Sequence, residues 1–151
     1  MFKIFFLGMA ALGAAGCVSA PRLPPVNLQQ PGWTVHEGQA VWTKKRGAMG
    51  VAGEILLATR TDGRTFVQFS KTPFPLLTAQ STPTSWQVEV PAQNRRYAGR
   101  GRPPGRLIFL WLARVLEGEA PPKGWSWHSD QQGWRLENPR TGEQIEGYFS
   151  P

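Results

Sequence analysis

Over most of this chain apolar and polar residues alternate in short runs, and only once does the pattern take a helical period. In residues 51–60, Val51, Gly53, Ile55, Leu57 and Thr59 fall on one face of an extended chain, with Glu54 and Arg60 on the other. That two-residue period predicts a β-strand. Thr61-Asp62-Gly63-Arg64 predicts a hairpin turn, because Asp-Gly supplies the positive φ that such turns require. Residues 65–70 return as the partner strand, and residues 72–75, with Pro73 and Pro75, predict a break. Residues 76–80 read as a further strand and 81–84 as a turn. Residues 85–90 alternate with Trp86, Val88 and Val90 on one face. Upstream, residues 41–45 form an apolar-rich run, separated from 51–60 by Gly47 and Gly50. Downstream, residues 124–128, 133–137 and 143–149 give three more short runs, with turn formers at 129–132 and 138–142. Successive antiparallel strands joined by short turns make a meander.

The helical period appears at residues 106–117. Pro103 and Pro104 precede this segment, and Gly118 with Pro121 and Pro122 ends it. Around its circumference Arg106, Ala113, Arg114 and Glu117 share a narrow side, and the rest is Leu, Ile, Phe, Trp or Val. A surface helix has a wider polar face than this. The pattern therefore predicts a mainly β domain. Its curved antiparallel sheet, an incomplete half-barrel, has one apolar helix packed on the concave face. Residues 93–106, with five Arg, three Gly and two Pro, predict a loop rather than a central strand or a helix interior.

The first sixteen residues change the picture. Lys3 gives a positive start, and residues 4–16 are almost purely apolar and end in Ala14-Ala15-Gly16 before Cys17. This is the layout of a secretory signal peptide. At about 13 residues the apolar run is too short to cross a bilayer, which takes roughly 20. The run Ala14-Ala15-Gly16-Cys17 resembles the lipobox of bacterial lipoproteins, with Ala14 in the place usually held by Leu. That resemblance implies cleavage before Cys17 and attachment of lipid, such as palmitate, to its thiol and new amine. The alternative is an ordinary signal peptide followed by an unpaired cysteine. Residues 17–32 contain Pro21, Pro24, Pro25 and Pro31 without an apolar period, and read as an extended tether. The domain then spans residues 33–151, one domain's worth of chain.

Cys17 is the sole cysteine, so no internal disulfide can form. After removal of residues 1–16, sixteen basic and ten acidic side chains leave a formal charge of +6. A tethered cation of this size suits an anionic lipid surface or a polyanionic partner. Export argues against nucleic acid. Arg95, Arg96, Arg100 and Arg102 are the candidate contacts, since guanidinium groups pair with phosphate; the alternative is a solvated loop with scattered charge.

The sequence carries no constellation that points to an enzyme. There is no G-x-S-x-G, and His36 and His128 have no neighbouring His or Cys from which to build a metal site. Asp62 and Asp130 sit in turns, where Asp serves the backbone. Glu143 and Glu146, three apart on a strand, point to opposite faces. Gly99-Arg100-Gly101 lacks the context of a phosphate loop. No cofactor is implied.

The lipobox, the Pro-rich tether, the meander, the single mid-chain apolar helix and the closing strands together resemble the LolA/LolB superfamily of lipoprotein-localisation proteins. The resemblance is one of layout, over residues 33–151. It implies an incomplete antiparallel β-barrel with a helical lid over an apolar cavity that takes acyl chains. Phe66, Phe69, Trp86, Trp111 and Val115 are the candidate lining of such a cavity; the alternative is that these aromatics are plain core. Two functions follow. One is an envelope lipoprotein of the outer membrane, on its periplasmic face, that binds lipid or an acylated partner in lipoprotein localisation or membrane maintenance. The other is a structural or assembly lipoprotein that binds a partner protein without a ligand cavity.

Overall fold

A computed structural model describes residues 20–151. Cys17 and the signal segment lie outside the described residues. Nine strands form a single antiparallel sheet: β1 Trp33–Thr43, β2 Val51–Arg60, β3 Thr65–Lys71, β4 Phe74–Ser81, β5 Ser85–Val90, β6 Arg95–Arg100, β7 Ser126–Ser129, β8 Trp134–Asn138 and β9 Glu143–Phe149. Their order across the sheet is β6-β5-β4-β3-β2-β1-β9-β8-β7. Two meanders therefore meet where β1 pairs with β9, with Trp42 opposite Ile145 and Ala40 opposite Gly147. The sheet does not close, and β6 and β7 are its two edges. The chain passes from one edge to the other through the helix α1, Ile108–Leu116, which lies on the concave face.

Strand alternation explains the core. Ile55 and Leu57 of β2, Val67 and Phe69 of β3, Leu77 and Ala79 of β4, and Trp86 and Val88 of β5 all point inward and are buried. Ala40, Ile145, Trp134 and Leu136 continue this surface across the β1–β9 seam. Seven of the nine α1 residues are buried against it, all but Arg114 and Leu116. The helix ends in a Schellman arrangement, with Gly118 N–H donating to the Val115 carbonyl at 3.0 Å and Glu119 N–H to the Arg114 carbonyl at 2.9 Å. Gly118 takes the positive φ of 92° that this ending needs.

Several boundaries differ from the sequence pattern, each for a physical reason. The Asp62-Gly63 turn joins β2 and β3 as predicted, with Gly63 at φ 85°. The predicted break at residues 72–75 is shorter, because β4 begins at Phe74 and Lys71 already pairs with it. β1 starts eight residues earlier than the apolar run at 41–45. It pairs with β2 from Trp33 to Trp42 and with β9 from Gly38 to Thr43, so backbone hydrogen bonds hold residues with little apolar character. Part of the predicted arginine loop is strand, since Arg95–Arg100 forms β6 against β5. An edge strand needs no buried face, so charge does not preclude it.

The Pro-rich segment before β1 has no regular secondary structure, yet it is fastened to the convex face. Leu23 N–H donates to Gln87 Oε1 at 3.0 Å, Arg22 pairs with Glu89 at 2.7 Å, and Arg96 Nη2 donates to the Ala20 carbonyl at 2.9 Å.

Candidate functional site

Three groups of residues compete for the role of site, and the structure separates them. The first is the interior. Phe69, Trp111 and Val115 are 0%, 2% and 3% exposed and Trp86 is 9% exposed, and all four belong to the continuous hydrophobic core. A side chain lining a cavity wide enough for an acyl chain would present accessible surface to it. These present almost none. Phe69 packs on Phe109 with ring centroids 5.7 Å apart, and Phe109 meets the edge of Trp42 at 5.1 Å. Trp111 donates its indole N–H to the Pro104 carbonyl at 3.1 Å and lies under the Arg102 guanidinium at 4.8 Å. Phe66 does not join them. It alternates with Val67, so it points to the convex face, where it is half-buried.

The second group is the arginines. Alternation along β6 splits them instead of gathering them. Arg96 and Arg100 lie on the convex face, opposite Glu89 and Ser85, and Arg95 lies on the other face opposite Val90. Arg96 is engaged by Gln87 and by the Ala20 carbonyl. Arg102, beyond the strand, pairs with Glu119 at 2.9 Å and stacks on Trp111. Two of the four are thus bound within the protein, and the four form no single patch.

The third group was not foreseen from the sequence. A cleft of about 780 Å³ opens where β1, β2, β8 and β9 cross, bounded by the ends of β3 and β7. A second hollow of about 340 Å³ shares Gln39, Glu54, Ser70 and Tyr148 with it. By strand alternation Gln39, Val41, Glu54, Glu146 and Tyr148 point away from the core, so the cleft lies on the convex face. Gly147 and Gly133 let the backbones close up beneath it. A Cβ on Gly147 would stand 2.1 Å from the Gln39 carbonyl oxygen, and one on Gly133 would stand 2.4 Å from that of Gly147.

The charges of the cleft are balanced from within only in part. Arg135 binds Glu146 at 2.7 Å, and Glu54 accepts a hydrogen bond from the Thr72 hydroxyl. His128 stands 3.6 Å from Glu137. Tyr148 and Val41 remain about 47% and 37% exposed and supply apolar surface. Among the described residues no three His, Cys, Asp or Glu side chains gather as metal ligands. The cleft is thus polar, with two partly exposed apolar groups and one internal ion pair, and Lys71 in its lining has no carboxylate partner among the described residues. Its sequence signal was slight, because its residues come from six strands and only the two glycines mark the crossing.

At the end of the β1–β9 seam Glu143 is half-buried and accepts a hydrogen bond from Trp42 Nε1 at 3.3 Å. Burial pushes its carboxyl above the usual glutamate range, and the Trp42 hydrogen bond opposes this only in part. No helix of the described residues is long and apolar enough to cross a membrane. No protein-family model matches the chain, and none of the curated proteins compared with it is significantly similar.

Proposed function

We propose that this protein is a lipoprotein of the bacterial cell envelope, anchored through Cys17, whose domain binds a partner protein on its convex face and keeps its interior free of ligand. The observation that carries the second half is the filled interior. Leu110, Leu112, Ala113 and Phe69 lie at 0–1% exposure between helix and sheet, which favours a partner-binding role over carriage of an acyl chain. The anchoring half is supported by the signal-like residues 1–16 and the single cysteine after them. The cleft around Tyr148 is the surface best suited to the partner, since it combines accessible apolar area with polar groups of fixed geometry.

A photo-reactive phenylalanine analogue placed at Tyr148 in living cells tests this. It captures one protein of discrete mass, whereas the same analogue at Thr61, in the turn at the far end of the sheet, captures none. Absence of an adduct at Tyr148, or the same adduct from both positions, contradicts the reading.

A further inference from the structure

Charge and exposed apolar surface are unevenly divided between the two ends of the sheet. In this topology the β1–β2, β3–β4, β5–β6 and β8–β9 connections emerge at one end, and the β2–β3, β4–β5 and β7–β8 connections at the other. The first end carries Lys44, Lys45, Arg46, Lys71, Arg95 and Arg140, all exposed. None of the six has a carboxylate within 4.0 Å among the described residues. At the other end Arg60 and Arg64 both bind Asp62, at 3.6 and 2.9 Å, and Arg102 binds Glu119, while Arg100 and, in the segment that leads on to α1, Arg106 are exposed without a carboxylate partner among the described residues.

The cationic end also holds the two most exposed large apolar side chains among the described residues. Met49, in the β1–β2 connection, is 91% exposed, and Phe74, at the start of β4, is 70% exposed. The β1–β2 connection is held in place. Arg46 N–H donates to the Thr141 carbonyl at 3.0 Å, and Arg46 Nη2 donates to the Pro139 carbonyl at 2.7 Å. Lys44, Lys45 and Met49 are therefore presented beside Arg140 on a fixed support.

The Pro-rich segment leads to this same end. It runs down the convex face from Gln30, which accepts from Arg60 at 3.1 Å, to Leu23 at Gln87, Arg22 at Glu89 and Ala20 at Arg96. Arg96 is the second residue of β6, next to the connection from β5. Ala20 follows Cys17 by three positions, a reach of about 11 Å when fully extended. A free tether of residues 17–32 would let the domain take any orientation. The fastened one fixes Ala20 at the cationic end, with Cys17 only that reach away along the chain.

We infer that this end of the sheet rests on an anionic phospholipid surface, with Met49 in the interface and the fastened N-terminal segment holding the domain in that one orientation. The inference rests on the reading of Cys17 as the site of lipid attachment. An apolar side chain among cations is the composition that settles at the boundary of an anionic bilayer. Each cation held within a Debye length of such a surface favours the docked state about fivefold.

The test uses the full lipoprotein in vesicles containing phosphatidylglycerol. Lipid on Cys17 leaves an introduced cysteine as the only free thiol, so Met49→Cys and Thr61→Cys can each be labelled with an environment-sensitive fluorophore. The label at 49 shifts to the blue and brightens several-fold, and high salt or the combined Lys44→Ser, Lys45→Ser and Arg140→Ser changes, which leave the Arg46 support intact, return it to water-like emission. The label at 61 stays water-like throughout. Protein that floats with the vesicles while position 49 reports water overturns the docking and leaves the lipid attachment standing. Protein that does not float overturns the attachment, and the docking with it.

Discussion

Single residues in this fold are governed by which side of a strand they fall on and by what is left for their polar atoms. Phe66 and Phe69 show the first rule. Both are strand aromatics that read alike in the sequence, yet three positions of alternation put Phe69 at 0% exposure under the helix and Phe66 on the opposite face. Trp111 shows the second, because its indole N–H finds the Pro104 carbonyl and its ring takes the Arg102 guanidinium. Glu143 is the least comfortable residue. Its folded carboxyl holds a proton to higher pH than in the unfolded chain, since burial raises its pKa. Over that window the native state binds more protons, so stability falls as pH rises above the usual glutamate range and the full penalty persists beyond it. Glu143→Gln removes the charge and keeps an oxygen for Trp42 Nε1. Thermal melts should show the variant level with the wild type near about pH 4 and more stable near about pH 8. A constant difference between the two pH values would contradict this account of Glu143.

The elements were legible in the sequence to the extent that they need an apolar face. The bounds of β2 and β5 match the alternation residue for residue, since both bury one face in the core. The helix was legible because its apolar surface had to be covered, although its regular part is shorter than the pattern at both ends. The arginine edge strand was not legible, because an edge is satisfied by one ladder of backbone hydrogen bonds. Nor was the early part of β1, and the β1–β9 pairing was least legible of all. That seam joins strands about a hundred positions apart, through a register in which Gly147 touches the backbone of β1. Here the physics gives a sharp expectation. A methyl group on Gly147 meets the Gln39 carbonyl oxygen and Ala40 Cα, and backbone cannot step aside. Gly147→Ala should therefore cost about 1–3 kcal/mol, seen as a lower denaturant midpoint at unchanged slope. An unchanged midpoint would mean that the two meanders do not join in this register.

At the scale of the whole molecule, the sheet wraps one helix so completely that the interior belongs to the protein. The candidate cavity residues had two readings in the sequence, because composition alone does not tell a core aromatic from one facing a ligand. Packing distinguishes them, and four of the five proposed residues are core. The accessible features lie outside it: the cleft on the convex face, the fastened Pro-rich segment, and the end of the sheet that gathers unpaired cations around Met49. The central claim, an anchored protein with a filled interior, is tested most directly by a native mass spectrum of the protein extracted from its own membrane in mild detergent. The account predicts a chain beginning at Cys17 that carries covalent acyl groups and retains no further lipid when the detergent is stripped. A chain without covalent lipid, or one that holds a stoichiometric non-covalent fatty acid or phospholipid, would contradict it.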